Sequence, residues 1–251
     1  MTDERVARIA IVTGANRGIG QEIARQLAGR GLQVVPTSRA AQHGYATLDV
    51  EDRASIEAFA RSHAKSGVDV LVNNAGASFD GFDASVAART LAVNFFGAMH
   101  LTDALLPSMR AGGRIVMVSS GMGRLSQLGP ALRARFDDAS LTRAGLVDLL
   151  ASFVRDVSAG VHVRHGWPSN AYSVSKIGLN ALVRVMSREL AGDSRAILVN
   201  SADPGWVRTR MGGRSAPVSV EDGAKTPVYL ALLPSGSPTG RFFARERPID
   251  F

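Results

Sequence analysis

Residues 9–28 constrain the chain more than any other stretch. Ile9-Ala-Ile-Val12 is a short apolar run, the pattern of a parallel strand covered on both faces. It breaks at Thr13-Gly14-Ala15-Asn16-Arg17-Gly18-Ile19-Gly20. Ile19, Ile23 and Leu27 then recur at four-residue steps until the glycines at 29 and 31. A buried strand that passes through a glycine turn into an amphipathic helix opens a parallel α/β layer. Gly14, Gly18 and Gly20 permit positive φ and close approach of backbone N–H groups to an anion at the helix N-terminus. The turn, with Asn16, Arg17 and Ile19 in it, is therefore a candidate pyrophosphate cradle. Its G-x-x-x-G-x-G spacing differs from the G-x-G-x-x-G of most dinucleotide folds.

The rest of the chain repeats that alternation. Strands are predicted at 32–35, 45–48, 68–72, 114–118, 196–199 and 241–244, and helices at 55–64, 85–109, 169–191 and 220–233. Pro107 must end or kink the second of these helices. The pattern implies an α/β, single-domain, doubly wound parallel sheet of the Rossmann type spanning 1–251. Ligand sites should lie at the strand C-terminal ends. Between Ser120 and Tyr172 lie 51 residues, far more than a strand-to-helix link needs. Thr142 can cap a helix carrying Leu146, Leu149, Leu150, Phe153, Val154 and Val157, with Gly160 as its stop, so 121–168 reads as an inserted helical segment.

Composition excludes several classes. The apolar fraction is 45% and the charged fraction 20%, as in ordinary globular proteins, and no run approaches a membrane span. The net charge is +7, but the arginines are scattered from Arg5 to Arg247 without a basic block, which argues against nucleic acid. Only Lys65, Lys176 and Lys225 are lysine, so the placement of Lys176 stands out. The N-terminus shows no signal-peptide pattern, and a cytoplasmic protein is expected. Cysteine is absent, removing disulfides and thiolate metal sites. His43, His63, His100, His162 and His165 lack metal spacing, and the last two read as surface residues of the insertion.

Two further groups carry chemistry. The second strand ends in Thr37-Ser38-Arg39, without the acid that usually binds the ribose hydroxyls of NAD. Arg39 and Arg17 instead fit a 2′-phosphate, which points to NADP(H), with Asp49 and Val50 after the third strand near the adenine. Tyr172-Ser-Val-Ser-Lys176 places a phenol and an ammonium on one helix face. The cation should favour the phenolate and bring Tyr172 down toward a working range. Val118-Ser119-Ser120 offers hydroxyls at a strand's C-terminal end.

Taken together these motifs, with Asn73-Asn74-Ala75-Gly76, Asn94 and Asp203-Pro204-Gly205, resemble the short-chain dehydrogenase/reductase family in order and spacing. Gly166-Trp-Pro-Ser-Asn-Ala-Tyr-Ser-Val-Ser-Lys-Ile-Gly178, Pro204-Gly-Trp-Val-Arg-Thr209 and Gly223-Ala-Lys-Thr-Pro-Val-Tyr-Leu-Ala-Leu-Leu-Pro234 resemble its monomeric carbonyl-reductase branch, as do the inserted helices. The resemblance implies NADPH-dependent reduction of an aldehyde, ketone or quinone, or the reverse oxidation. Tyr172 would protonate the carbonyl oxygen, and Lys176 would hold the nicotinamide ribose and tune Tyr172. Ser120 would orient the carbonyl, and Asn94 would anchor a water leading to Lys176. Asn74, Ala75, Gly76, Pro204, Gly205, Val207 and Thr209 would line the cofactor site, with Thr209 near the carboxamide. Trp206 is either a core aromatic or a pocket wall. Since relatives pair near Asn94 and Tyr172, an insertion covering that face implies a monomer. A non-catalytic NADPH sensor and a dehydratase or epimerase are the competing readings. The first conflicts with Tyr172, Lys176, Ser120 and Asn94 all being in place, and the second with the lack of a longer C-terminal substrate domain. The stretch 39–45 is too short for the helix relatives carry there, and 77–83 looks trimmed, so substrate preference does not transfer.

Overall fold

A computed structural model describes residues 7–63 and 65–251. Its strands are β1 (Ile9–Val12), β2 (Gln33–Ser38), β3 (Ala46–Thr47), β4 (Val68–Asn73), β5 (Met109–Val118), β6 (Leu198–Asp203), β7 (Phe242–Ala244) and β8 (Arg247–Ile249). They form one sheet in the order β3-β2-β1-β4-β5-β6-β7-β8, parallel throughout except for the last pair. The chain reverses its direction of travel across the sheet between β1 and β4. That reversal opens a crevice at the strand C-terminal ends, where α/β sheets bind ligands.

Side-chain alternation explains the two layers. Ala10, Val12, Val70, Val72, Val116 and Val118 face one side, packing on α1 (Gly18–Ala28) and α8 (Val220–Ala231) through Ile23, Leu27, Ala224 and Val228. Ile11, Leu71, Ile115, Met117 and Val199 face the other. There they meet α2 (Arg53–His63), α3 (Ala84–Leu91), α4 (Ala98–Leu105) and α7 (Ala171–Glu189). Strands buried on both sides must be apolar at every position, which is why β1 carries no polar residue.

Three elements differ from expectation. The predicted 85–109 helix is α3 and α4 joined by a π-helical turn over Ala92–Gly97, followed by a 3₁₀ turn at Leu106–Ser108 containing Pro107. The strand expected at 196–199 starts later and runs on through Ser201 and Asp203, because pairing with β5 and β7 satisfies its backbone. β8 was not foreseen. Its hairpin turns on Arg245 and Glu246, both at positive φ (49° and 62°), residues that carry none of the usual Asn-Gly turn chemistry.

The insertion is helical, as its pattern implies. It holds α5 (Pro130–Asp137) and α6 (Arg143–Ser158), the latter capped by Thr142 Oγ1 accepting from the Gly145 N–H at 3.1 Å. α6 lies across α3 and α7. Close approach depends on Gly178, where a Cβ would stand 2.8 Å from a Leu150 methyl. Leu150 is fully buried in that seam. Leu150→Ala should therefore cost about 2–5 kcal/mol in urea unfolding, whereas a cost below 1 kcal/mol would mean that α6 is loosely docked.

Candidate active site

The ends of β1 and β4 are braced to each other. Thr13 Oγ1 accepts from the backbone N–H groups of Asn74 and Ala75, each at 2.8 Å. Asn74 Nδ2 donates back to the carbonyls of Thr13 (2.8 Å) and Gly14 (3.3 Å). This needs Gly20, where a Cβ would fall 2.3 Å from Asn74 Nδ2. Gly14 and Gly18 hold φ of +60° and +56°. α1 begins at Arg17 with no side-chain cap and no acid in its first turn, so its leading N–H groups face the cleft unclaimed by side chains. A dinucleotide pyrophosphate fits this cradle. Thr13 is a site residue that sequence reasoning passed over, although a hydroxyl ending the first strand was visible.

Both flanks of the cradle are in place. Arg17 and Arg39 are exposed at the β1–β2 edge, and Arg39 lies 3.8 Å from Glu51. Asp49 and Val50 follow β3, with Val50 pressed against Gly97 of the π turn and Asp49 Oδ1 accepting from the Glu51 N–H at 3.0 Å. No helix forms between β2 and β3, as the short 39–45 stretch required. On the other side, Pro204 and Gly205 (φ +80°) turn the chain out of β6. Val207 bridges Val218, and Thr209 reaches back until its methyl would lie 3.4 Å from a Cβ at Gly18.

The candidate catalytic groups lie together where β5 ends. Asn170 caps α7, accepting from the Ser173 N–H at 2.8 Å, and Tyr172 and Lys176 follow one turn apart. Lys176 is buried, with Nζ donating to the Val118 carbonyl at 2.8 Å and standing 5.5 Å from the Tyr172 ring centroid. Ser120 Oγ accepts from the Met122 N–H at 3.2 Å, starting a 3₁₀ turn that lies directly on α7. That contact exists because residue 123 is glycine, since a Cβ there would stand 2.9 Å from the Lys176 carbonyl. Gly123 is a positioning residue that the sequence did not reveal.

Asn94 is buried within the π turn, a local widening common at functional sites. Its Oδ1 accepts from the Ala77 N–H (2.8 Å), and its Nδ2 donates to the Ala77 carbonyl (2.9 Å) and to Ser175 Oγ (3.0 Å). A Cβ on Gly76 would sit 3.3 Å from Asn94 Oδ1 and 3.7 Å from Lys176 Nζ. Amide and amine thus both close on the bare backbone of residue 76, where a side chain would crowd the amide.

Beside Tyr172 opens a cavity of about 160 Å³, lined by Phe79, Phe82, Val86, Thr90, Met122 and Asn170 among others. Two expectations are corrected here. Trp206 is not a core aromatic, being 58% exposed, with its indole N–H held by the Gly212 carbonyl at 2.8 Å. His162 is not merely a surface residue, because its ring packs at a tilt against Phe82 (4.9 Å between rings) and pairs with Ser169 Oγ at 2.8 Å.

Burial sets the titration of the pair. Lys176 is pushed down from 10.5 to about 8 by desolvation. Tyr172 moves the opposite way from the expectation that a cation would lower it. Desolvation raises the phenol above its ordinary 10, the Ser120 hydroxyl pulls it back in part, and the Asp203 carboxylate raises it further. Tyr172 is thus held as a neutral acid.

A family model described as short chain dehydrogenase matches residues 8–131, and one described as Enoyl-(Acyl carrier protein) reductase matches 151–228. Carbonyl reductase [NADPH] 1 of Bos taurus is 41% identical, covering 97% of this chain and 98% of its own. The chain belongs to the short-chain dehydrogenase/reductase family. Human carbonyl reductase [NADPH] 3, also 41% identical, covers 91% of this chain and 92% of its own. Among solved members of the family, salutaridine reductase from Papaver somniferum superposes with a TM-score of 0.87 at 27% identity, covering 94% of this chain and 99% of that one. An NADPH-bound carbonyl reductase from chicken fatty liver shares the fold, with a TM-score of 0.72 at 23% identity and coverage of 98% and 99%. No helix of the described residues is long and apolar enough to cross a membrane.

The buried amine has a consequence for stability. Lys176 has a folded value near 8 against 10.5. Between those values the unfolded chain keeps a proton that the folded chain has lost, so stability rises with pH across that window, and the full cost is felt below it. Lys176→Met should be more stable than the parent at pH 7, by on the order of 1–3 kcal/mol. Urea titrations should show the gap closing between pH 8 and 10, and a gap independent of pH would contradict the assignment.

Proposed function

We propose that the chain is an NADPH-dependent carbonyl reductase. The observation that carries this is the meeting of Tyr172, Lys176 and Ser120 at the end of β5, beside the glycine cradle at the end of β1. Close relatives named carbonyl reductase [NADPH], similar over nearly the whole chain, support the same reading.

The cradle of Gly14, Asn16, Arg17, Gly18, Ile19 and Gly20 would hold the pyrophosphate, and Asn74, Ala75 and Gly76 would form its floor. Pro204, Gly205, Val207 and Thr209 would close over the nicotinamide end, with Asp49 and Val50 at the adenine. Arg17 and Arg39 would receive the 2′-phosphate where β2 ends without an acid. When bound, the nicotinamide supplies the hydride. The chain's own work is with the oxygen and its proton. Ser120 Oγ and Tyr172 Oη bracket the carbonyl oxygen, and Tyr172 gives up its proton as negative charge develops there. Raised by burial, the phenol enters the reaction protonated, which suits reduction. The Lys176 ammonium, held on the Val118 carbonyl, would stabilise the phenolate left behind and hold the ribose hydroxyls. Asn94 and Lys176 both lie beside Gly76, and a water bridging them would carry the proton that restores Tyr172. A small aldehyde, ketone or quinone is the substrate class. The same reading makes the protein a cytoplasmic monomer, supported by α6 lying over α3 and α7, and light scattering that gave a stable dimer or tetramer would remove that part.

Tyr172→Phe should lower kcat at least about 100-fold on a panel of aldehydes and quinones, with NADPH binding retained by fluorescence titration. In the parent enzyme, kcat/KM for reduction should fall above about pH 8, as Lys176 loses its charge. An alkaline limb only near pH 10 would assign it to the phenol instead. Removing both Arg17 and Arg39 as alanines should raise the KM for NADPH about tenfold or more and leave that for NADH within twofold. Equal effects on both coenzymes would take the 2′-phosphate away from these arginines.

A further inference from the structure

Asp203 ends β6 next to the reacting groups, and no step of the proposed reaction uses it. Its backbone pairs with Ala244, and the Ser119 N–H on β5 donates to the neighbouring Ala202 carbonyl at 2.7 Å. Oδ1 accepts from the Gly205 N–H at 2.9 Å, so the carboxylate is fixed in orientation. Oδ2 points at the loop that follows Ser120, where a Cβ on Gly121 would lie 2.9 Å from it. The glycine makes room for a carboxylate oxygen one residue from the serine hydroxyl.

That oxygen has no hydrogen-bond or ion-pair partner among the described residues, in a chain with 29 basic residues. Asp69, Asp103, Asp137, Asp193 and Asp222 each pair with a basic side chain. Asp203 is half-buried, so its charge is screened less than one at the open surface. Its field is felt at Tyr172, where it opposes the phenolate. Negative charge building on a carbonyl oxygen between Ser120 and Tyr172 would be opposed in the same way. A carboxylate held at that point suits a substrate that brings a cation to it. The remaining walls set the other end of such a substrate. The cavity beside Tyr172 has no charged lining residue, and its volume of about 160 Å³ is of the size that admits a benzene ring.

We propose that Asp203 is a subsite for an ammonium group, so that the preferred substrates are aryl or alkyl ketones and aldehydes bearing a protonated amine a few bonds from the carbonyl. This rests on Ser120 and Tyr172 binding the carbonyl as described above. The apolar arm fills the cavity, the carbonyl meets the two hydroxyls, and the ammonium donates to Oδ2. Keto acids of the same shape place a second anion against Asp203 and are rejected.

Three phenyl ketones of equal chain length, with the alkyl arm ending in ammonium, methyl or carboxylate, test the assignment with NADPH as reductant. For the parent enzyme, kcat/KM should be about tenfold higher for the ammonium than for the methyl ketone, and about tenfold lower for the carboxylate. Asp203→Asn keeps the Gly205 contact and should bring the ammonium-to-methyl ratio to about one. Calorimetry adds a measurement without turnover, in which phenethylammonium should bind the Asn variant about tenfold more weakly than the parent. Equal kcat/KM for ammonium and methyl ketones in the parent, or one common factor for all three in the variant, overturns the subsite alone. Absence of turnover with all three overturns the reductase reading, and the substrate class with it.

Discussion

A primary amine carried into the interior organises the site around itself. Lys176 is 4% exposed, and Nζ donates to the carbonyl of Val118. Burying an ammonium is costly, and the fall of its pKa to about 8 measures that cost in this protein. The surroundings are built to bear it. The bond to Val118 fixes α7 against the end of β5, so Tyr172, one turn earlier, faces Ser120, two residues beyond the accepting carbonyl. Gly123 lets the loop after Ser120 press on the same helical turn, and Gly76 sets bare backbone beside the amine. Were the amine replaced by an apolar group, packing would be easier and the chemistry lost, which is the usual tension between stability and activity.

A second brace fixes the nucleotide side relative to the first. Thr13 and Gly14 accept four hydrogen bonds from Asn74 and Ala75 between the ends of β1 and β4, across the reversal point of the sheet. Because β5 pairs with β4, the cradle and the Ser120 loop are held on one rigid edge, a few strand widths apart. The insertion completes the other wall. α6 packs on α3 and α7, while His162, tilted against Phe82 and bonded to Ser169, ties it to the loop that lines the cavity. Asp203 then adds a charge with no ion-pair partner among the described residues where the two halves meet, on a strand end whose backbone is already satisfied.

Local pattern was a good guide wherever the physics was local. Apolar runs located β1, β4 and the C-terminal half of β5, and the Thr142 cap and Leu146 to Phe153 spacing located α6. Expectation failed where tertiary pairing overrode it. The Arg245–Glu246 hairpin adopts left-handed backbone without glycine or asparagine, because β7 offers an edge to pair with. The π turn around Asn94 could not be told from plain helix, because one extra residue in a turn leaves the apolar period nearly unchanged. The Tyr172 shift went opposite to the pairwise argument, since desolvation is a property of everything around the phenol and not of one neighbour.

The amino-acid order by itself determined the alternation of strands and helices, the glycine cradle, the absence of an acid after β2, and the presence of a phenol and an amine one helical turn apart. These depend on neighbours within a few residues, where periodicity and backbone freedom are written directly into the chain. Only the folded protein decided that Lys176 reaches Val118, that Gly20 and Gly123 are empty because Asn74 and the Lys176 carbonyl pass through that space, and that Asp203 Oδ2 has no partner among the described residues. Those facts join residues from 50 to 60 positions apart and more. Their distances follow from how the sheet stacks its strand ends, which no local pattern records.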